Sequence, residues 1–128
     1  MIPRIGHGFD LHRLTAGRPL IVGGERLAHE AGCAAHSDGD VVFHAVTDAL
    51  LGALGEPDIG ELFPDDDPRW AGADSRVFLE AAAERVRAAG LALGNLDVTL
   101  LLERPKLQPH KAAIRRNLGP PLPAHHRD

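Results

Sequence analysis

The sequence contains few of the features that mark secreted or membrane proteins. Its 128 residues include a single cysteine, Cys33, which cannot form a disulfide within the chain. No apolar run approaches the roughly 18 residues of a membrane-spanning helix, and no basic segment followed by an apolar one opens the chain as a secretory signal would. We therefore predict a cytoplasmic protein that does not bind membranes.

Positive charge is also scarce. Lys and Arg number 14 against 18 Asp and Glu, which gives a formal net charge of -4, so an extended basic surface for nucleic acid is not favoured. Hydrophobic residues at 44% and charged residues at 25% are the proportions of an ordinary globular protein. We expect one domain with one core, in which any anionic ligand is held by local groups.

Strands are predicted where apolar residues alternate with polar ones. Alternation predicts a strand in "RIGHGFDLH", residues 4–12, and another over Leu96–Leu102. The Gly23-Gly24 pair after "PLIV" predicts a hairpin or a tight bend into another short strand.

Helices are predicted where apolar residues recur at spacings of three and four. Such spacing predicts helices over residues 40–54 and 75–89 and a short amphipathic helix after Pro109. Ser37 or Asp38 offers an N-cap oxygen for the first helix. Together the elements predict a single α/β (α+β) domain, a mixed β-sheet with helices packed on one face.

Two imidazoles and one carboxylate in this pattern suggest a metal site. Asp10 and His12, two residues apart on a predicted strand, project from the same face, and His44 lies with Asp40 and Asp48 on a polar stripe of the first helix. Three such ligands with one open position are typical of catalytic zinc. The competing interpretations are a strand that binds no ion and a solvated helix face.

Two loops allow both a structural and a functional interpretation. Ser37 and Gly39 precede the first helix, where hydroxyl and backbone donors suit a phosphate, although helix capping explains them equally well. The segment "DIGELFPDDDP" carries Asp58 and the consecutive Asp65, Asp66 and Asp67. Such acids usually mark an exposed turn, and they could alternatively accept hydrogen bonds from sugar hydroxyls.

Four motifs in order and spacing resemble one family. "GHGFDLH", "AHSDGDVVFHAVTDALLGALGEPDIGELFPDDDP", "GADSR" and "GNLDVTLLLERPKLQPH" are similar to the 2-C-methyl-D-erythritol 2,4-cyclodiphosphate synthases of the non-mevalonate isoprenoid pathway. The resemblance implies a metal-dependent lyase. Such an enzyme cyclises 4-diphosphocytidyl-2-C-methyl-D-erythritol 2-phosphate and releases CMP. It further implies a homotrimer, zinc or another divalent ion, and a second ion, Mg²⁺ or Mn²⁺, bound with the substrate.

The resemblance also implies roles for individual residues. Asp10, His12 and His44 match the family's zinc ligands, and His36 and Ser37 match a loop that touches the substrate's phosphates. The positions that match the methylerythritol pocket are Asp58, Gly60 and Asp65, with Asp48, Ile59 and Phe63 lining it. Pro105, Lys106 and Leu107 match part of a cytidine pocket that neighbouring subunits share.

The resemblance runs from residue 4 to about residue 118, so we predict a domain over residues 1–118. It leaves "GPPLPAHHRD", residues 119–128, unmatched. We expect an irregular tail there, where family members continue with a threonine-rich segment, a ligand for the second ion and a final strand. A shifted reading frame near residue 119 would produce such a tail. The alternative to an active enzyme is therefore a catalytically silent zinc-binding or interaction module of the same ancestry.

Overall fold

Four short strands precede all the helices in residues 2–122, the part of the chain that the computed structural model describes. The strands are β1 (Leu14–Ala16), β2 (Leu20–Val22), β3 (Glu25–Leu27) and β4 (Ala31–Cys33). The helices are α1 (Val41–Leu54), α2 (Ile59–Leu62), α3 (Arg76–Ala88) and α4 (Lys111–Leu118), with 3-10 turns at Pro68–Trp70 and Gln108–His110. This composition confirms the α+β class. Within these residues, every helix is too short or too polar to cross a membrane.

The strands of the described residues form two antiparallel pairs rather than one mixed sheet. β1 pairs with β4, and β2 pairs with β3. Gly23 and Gly24 turn the chain between β2 and β3 with φ angles of 56° and 80°. Glycine adopts this left-handed region without steric cost, which is why the pair predicts a hairpin. The hairpin prediction is confirmed.

The strands predicted at residues 4–12 and Leu96–Leu102 are wrong within the described chain. Neither segment has a backbone hydrogen-bond partner among residues 2–122. A strand exists only as part of a hydrogen-bonded ladder. Alternating side chains therefore indicated two faces of a chain segment, but they could not supply the neighbour that a strand requires.

The N-terminal segment lies directly against helix α1 instead. A Cβ atom at Gly8 would stand 1.7 Å from the carbonyl oxygen of Ala45, and one at Gly6 would stand 1.7 Å from that of Ala49. A side chain at either glycine would therefore push the segment away from the helix. This close approach brings the residues that follow, Asp10 and His12, to the helix that carries the third predicted ligand.

The core lies where α1 packs on α3 and the β2–β3 hairpin covers α1. The two helices bury Val42, Phe43, Val46, Leu50, Leu51, Phe78, Leu79, Ala82, Ala83 and Val86, and the hairpin adds Leu20, Val22 and Leu27. The predicted helical spacing is confirmed for both helices. Removing their apolar stripes from water is the main favourable term that fixes the two helices against each other.

The C-terminal described segment closes over the hairpin. α4 sets Asn117 against the turn, where its side-chain amide donates to the carbonyl of Gly23 at 2.9 Å. Leu118 and Leu122 are both buried in the core. The first residues of the predicted tail thus form a turn that packs against the domain, and residues 123–128 lie outside the described chain.

Helix α1 begins differently from the prediction. Its N-cap is Asp40, so the expectation of Ser37 or Asp38 is wrong, while Gly55 ends the helix with φ 70° as its position predicts. The Asp40 carboxylate accepts hydrogen bonds from four backbone N–H groups, those of Gly23 (2.8 Å), Gly24 (2.7 Å), Val42 (3.1 Å) and Phe43 (3.1 Å). This fully buried side chain therefore joins the hairpin to the start of α1.

Burial also changes how Asp40 titrates. Removal from water raises the pKa of its carboxyl from 3.8 to about 6, although the hydrogen bonds from Gly24, Phe43 and Gly23 oppose this shift. Because the folded protein binds this proton more tightly than the unfolded chain, the stabilisation is complete below pH 3.8. It is lost as the pH rises towards 6.

The variant Asp40→Asn isolates this titration. Relative to the variant, the free energy of unfolding of the wild-type protein is expected to fall by about 2 kcal/mol between pH 4 and pH 7. Urea denaturation of both metal-free proteins at several pH values measures this difference. Parallel stability curves for the two proteins across this range would contradict the assignment.

Candidate metal centre

Asp10, His12 and His44 converge on one point although 34 residues separate the first from the last. The Asp10 Oδ2 atom lies 2.8 Å from His12 Nε2 and 3.1 Å from His44 Nδ1, and the two ring nitrogens are 3.3 Å apart. Three ligand atoms in so small a space could hold one metal ion. The predicted convergence of these side chains is confirmed.

The donor set fits zinc. Zinc binds imidazole nitrogen and carboxylate oxygen at about 2.0–2.2 Å, which places tetrahedral ligands about 3.3 Å from one another. The observed separations of 2.8–3.3 Å lie close to that value. Two imidazoles with one carboxylate also leave a fourth position for a substrate oxygen, as in catalytic rather than structural zinc sites.

The electrostatics of the cluster favour a cation at its centre. Burial raises the pKa of Asp10. Hydrogen bonds and charge from His12 and His44 together lower it by more than burial raises it, so the pKa lies well below the usual range. The hydrogen bond with Asp10 raises the pKa of His12 against the opposing effect of burial. An ionised carboxylate and a proton-attracting imidazole therefore face the same point, which a metal ion can occupy in place of the proton.

The second nitrogen of the His44 ring faces away from the cluster. His44 Nε2 lies 2.7 Å from the hydroxyl of Ser75 and 3.2 Å from that of Ser37. Both serines are buried. The predicted polar stripe of α1 is consequently an internal surface rather than a solvated one, at least for Asp40 and His44.

The three converging side chains form one wall of a cleft of about 380 Å³. Several of the residues predicted to bind substrate also line it, namely His36, Ser37, Ile59, Gly60, Phe63 and Asp65. Trp70 and Phe78 line it too, and sequence reasoning did not select them. Phe63 packs against both of these aromatic rings, with centroids 5.3 and 4.8 Å apart.

Two residues that were predicted to bind substrate, Asp48 and Asp58, do not line the cleft but hydrogen-bond to the backbone next to it. The Asp48 carboxylate accepts the backbone N–H of Ile59 at 2.8 Å, and Asp58 caps the short helix α2 by accepting the N–H of Glu61 at 2.9 Å. Burial raises the pKa of Asp48, against the hydrogen bond from Ile59. These contacts hold α2 at the rim of the cleft, where the sequence predicted a loop.

The loop that carries His36 and Ser37 is held from two sides. Arg18 donates to the carbonyl oxygens of Ala35 at 2.6 Å and Ser37 at 2.9 Å. His36 Nε2 lies 2.8 Å from the carbonyl oxygen of Asp67, so this ring nitrogen is the donor. The sequence carried no signal for Arg18, because its partners are backbone atoms.

Pro105, Lys106 and Leu107 do not line this cleft in the described chain. Leu107 instead borders a separate cavity of about 430 Å³ between the 96–100 segment and α4. Within one chain, the structure therefore does not bring the residues predicted for the nucleotide to the residues predicted for the metal.

The chain is similar to proteins of known activity over most of its length. A family model described as the YgbB family matches residues 3–126. The chain is 63% identical over 115 residues to the chloroplastic 2-C-methyl-D-erythritol 2,4-cyclodiphosphate synthase of Catharanthus roseus, covering 90% of this chain and 49% of that protein. It is 54% identical over 122 residues to the synthase of Proteus mirabilis, covering 95% of this chain and 76% of that protein.

Solved structures agree with these relatives. One structure of a 2C-methyl-D-erythritol-2,4-cyclodiphosphate synthase, in a CDP-bound form, superposes with a TM-score of 0.85 at 51% identity, covering 92% of this chain and 79% of that one. The chain spans about half the length of the plant relatives that it matches. The extent and identity of these matches, together with the converging Asp-His-His cluster, show that the chain belongs to the YgbB family of 2-C-methyl-D-erythritol 2,4-cyclodiphosphate synthases.

Proposed function

We propose that the chain catalyses the metal-dependent cyclisation of 4-diphosphocytidyl-2-C-methyl-D-erythritol 2-phosphate to 2-C-methyl-D-erythritol 2,4-cyclodiphosphate, with release of CMP. The observation that carries this proposal is the convergence of Asp10, His12 and His44 on one wall of a cleft large enough for part of a substrate. The names of the relatives supply the reaction.

The reaction needs no protein nucleophile. An oxygen of the 2-phosphate attacks the β-phosphorus of the diphosphate, and the bond from that phosphorus to the oxygen it shares with the α-phosphate breaks, so that CMP leaves with both electrons of that bond. A phosphate oxygen is already anionic. Catalysis therefore consists of positioning the two phosphates and neutralising their charge.

The proposed zinc ligands are Asp10, His12 and His44, and a zinc ion bound there would supply Lewis-acid stabilisation of phosphate charge. His36 and Ser37 are proposed to contact the phosphates. This proposal is supported by the position of both residues in the same cleft, on a loop whose backbone accepts two hydrogen bonds from Arg18. Preorganised donors of this kind stabilise developing charge without reorganising during the reaction.

The methylerythritol part of the substrate is assigned to the side of the cleft formed by α2 and the loop that follows it. We propose Asp58, Gly60 and Asp65 as its polar contacts, with Asp48, Ile59 and Phe63 completing the methylerythritol pocket. Ile59, Gly60, Phe63 and Asp65 line the cleft, and Asp48 holds Ile59 by its backbone, which supports this assignment.

The cytidine group is assigned to Pro105, Lys106 and Leu107 of a neighbouring subunit in a homotrimer. Within the described part of a single chain, none of the three lines the cleft, and Leu107 borders a separate cavity, which supports a shared site. We also propose a second divalent ion, Mg²⁺ or Mn²⁺, with the substrate, a functional unit at residues 1–118 followed by a tail, and a location in the cytoplasm.

One assay on the purified protein tests the proposal. CMP release from the cytidylated substrate is measured with zinc and magnesium present, and the metal content and oligomeric mass of the same sample are recorded. We expect CMP release that ceases after zinc is removed by a chelator and returns when zinc is added. Zinc uptake without CMP release would instead support a silent metal-binding module, and an active monomer would overturn the shared nucleotide site.

A further inference from the structure

We propose that Ser75 and Asp38 are positioning residues that hold His44 in the ring orientation and protonation form required of a metal ligand. The inference rests on the proposed metal site and adds two residues to which the resemblance assigned no role and which do not line the cleft. Ser75 starts helix α3, Asp38 precedes α1, and the two side chains meet behind the His44 ring.

The two nitrogens of the His44 ring face different partners. Nδ1 faces Asp10 and His12 at the metal cluster, whereas Nε2 lies 2.7 Å from the Ser75 hydroxyl. A ring nitrogen that binds a cation must keep its lone pair, so the hydrogen of the neutral ring belongs on Nε2. Nε2 then donates to the oxygen of Ser75.

The hydroxyl of Ser75 in turn donates a hydrogen bond to a carboxylate. Because its oxygen accepts from His44, its own hydrogen is free to donate, and the Asp38 Oδ1 atom is its hydrogen-bond partner. Asp38 Oδ2 also accepts the backbone N–H of Ser75 at 3.1 Å. An ionised carboxylate accepts hydrogen bonds and donates none. Asp38 therefore fixes which group donates in each of these hydrogen bonds, and this leaves the lone pair of the His44 ring on Nδ1.

The Ser75 side chain does not cap helix α3, although serine is a common helix cap. Although it occupies the N-cap position of α3, its side chain makes no capping hydrogen bond. Asp74 serves there instead, accepting the N–H of Arg76 at 2.9 Å. The fully buried hydroxyl of Ser75 is therefore available to His44 and Asp38.

The carboxylate of Asp38 is itself fixed by the backbone. Its Oδ1 atom accepts the N–H of Asp40 at 3.1 Å, and its own N–H donates to the carbonyl of Ala73 at 2.9 Å. The loop before α1 is thereby joined to the loop before α3. His44 is consequently oriented by both helices of the core rather than by α1 alone.

A second hydroxyl limits the effect expected from removing Ser75. The Ser37 oxygen lies 3.2 Å from His44 Nε2 and also accepts the N–H of Gly39 at 3.3 Å. This contact is longer than the one to Ser75. Ser37 can retain part of the orientation of the ring when Ser75 is replaced.

Zinc affinity tests the proposal without substrate. The dissociation constant for zinc is measured by competition with a chromophoric chelator for the wild-type protein, Ser75→Ala, Asp38→Asn and Thr47→Val. We expect about 10- to 100-fold weaker zinc binding by Ser75→Ala and a smaller weakening by Asp38→Asn, as is typical when the partner of a ligating histidine is removed.

Thr47→Val is the matched control. Thr47 is as fully buried as Ser75, and its hydroxyl donates to the carbonyl of Phe43 without touching His44. We expect this variant to bind zinc within twofold of the wild type even if its midpoint of thermal unfolding falls. Equal weakening by Thr47→Val and Ser75→Ala would overturn the proposal, because a general loss of packing would then explain both.

The remaining outcomes are also decisive. Zinc affinities of Ser75→Ala and Asp38→Asn within twofold of the wild type overturn the proposal, and so does a wild-type protein that binds no zinc. If Ser75→Ala does not fold, the zinc affinity of Asp38→Asn is compared with that of Thr47→Val instead. A wild-type protein that binds zinc but releases no CMP would overturn the proposed enzyme activity and leave this test intact.

Discussion

Replacement of His44 by alanine is expected to reduce CMP release by about 10³-fold or more and to abolish tight zinc binding. His44 is proposed to contribute the ligand atom Nδ1, and it is the member of the cluster that the core helix α1 holds in place. A metal ion contributes several kcal/mol of charge stabilisation to phosphoryl transfer, and each 1.4 kcal/mol corresponds to about a tenfold change in rate. CMP release at saturating substrate and zinc content after gel filtration measure the two effects.

His29→Ala is the control for this substitution. His29 lies on the connection between β3 and β4, with its Nδ1 atom 3.0 Å from Glu30, and it does not line the cleft. This variant is expected to keep both zinc and activity. Normal zinc content and CMP release in His44→Ala would show that the three converging side chains are not the metal centre.

Features that neighbours along the chain decide were predicted correctly, whereas features that need a distant partner were not. The spacing of apolar residues located α1 and α3 to within a residue or two, and Gly23-Gly24 located the hairpin, because these features are decided by neighbours along the chain. The predicted strands at residues 4–12 and Leu96–Leu102 were not formed. Their alternation is local, but the hydrogen-bonded neighbour of a strand is not.

The same distinction explains the candidate site. Asp10 and His12 could be paired from their spacing, and His44 could be placed on a polar helix face, so the three converging residues were predictable as a hypothesis. The role of Ser75 was not predictable, because its contact with His44 spans 31 positions and its place in "GADSR", just before a helix, indicates only an ordinary helix cap.

The choice of N-cap for α1 depended equally on distant residues. Ser37, Asp38 and Asp40 all have suitable side chains before the helix. Asp40 takes the position because its carboxylate also receives the N–H groups of Gly23 and Gly24, which stand 16 or 17 residues earlier. A signal of this kind appears only when the fold brings the hairpin to the helix.

Replacement of Asp40 by alanine is therefore expected to reduce the free energy of unfolding by about 4 kcal/mol at pH 7. The change leaves four backbone N–H groups without their acceptor, and each buried donor left unpaired costs about 1–3 kcal/mol before water enters the space. A single domain is typically stable by about 5–15 kcal/mol, so this loss approaches the limit of folding. Urea denaturation of the metal-free protein measures it.

Asp74→Ala distinguishes this role from ordinary helix capping. Asp74 is exposed and accepts one backbone N–H at the start of α3, that of Arg76. Its removal is expected to cost about 1 kcal/mol, as is usual for an exposed cap. Similar losses in the two variants would mean that Asp40 acts as a cap alone. A loss several times larger in Asp40→Ala is expected because this carboxylate also fixes the β2–β3 hairpin on the helix that carries His44.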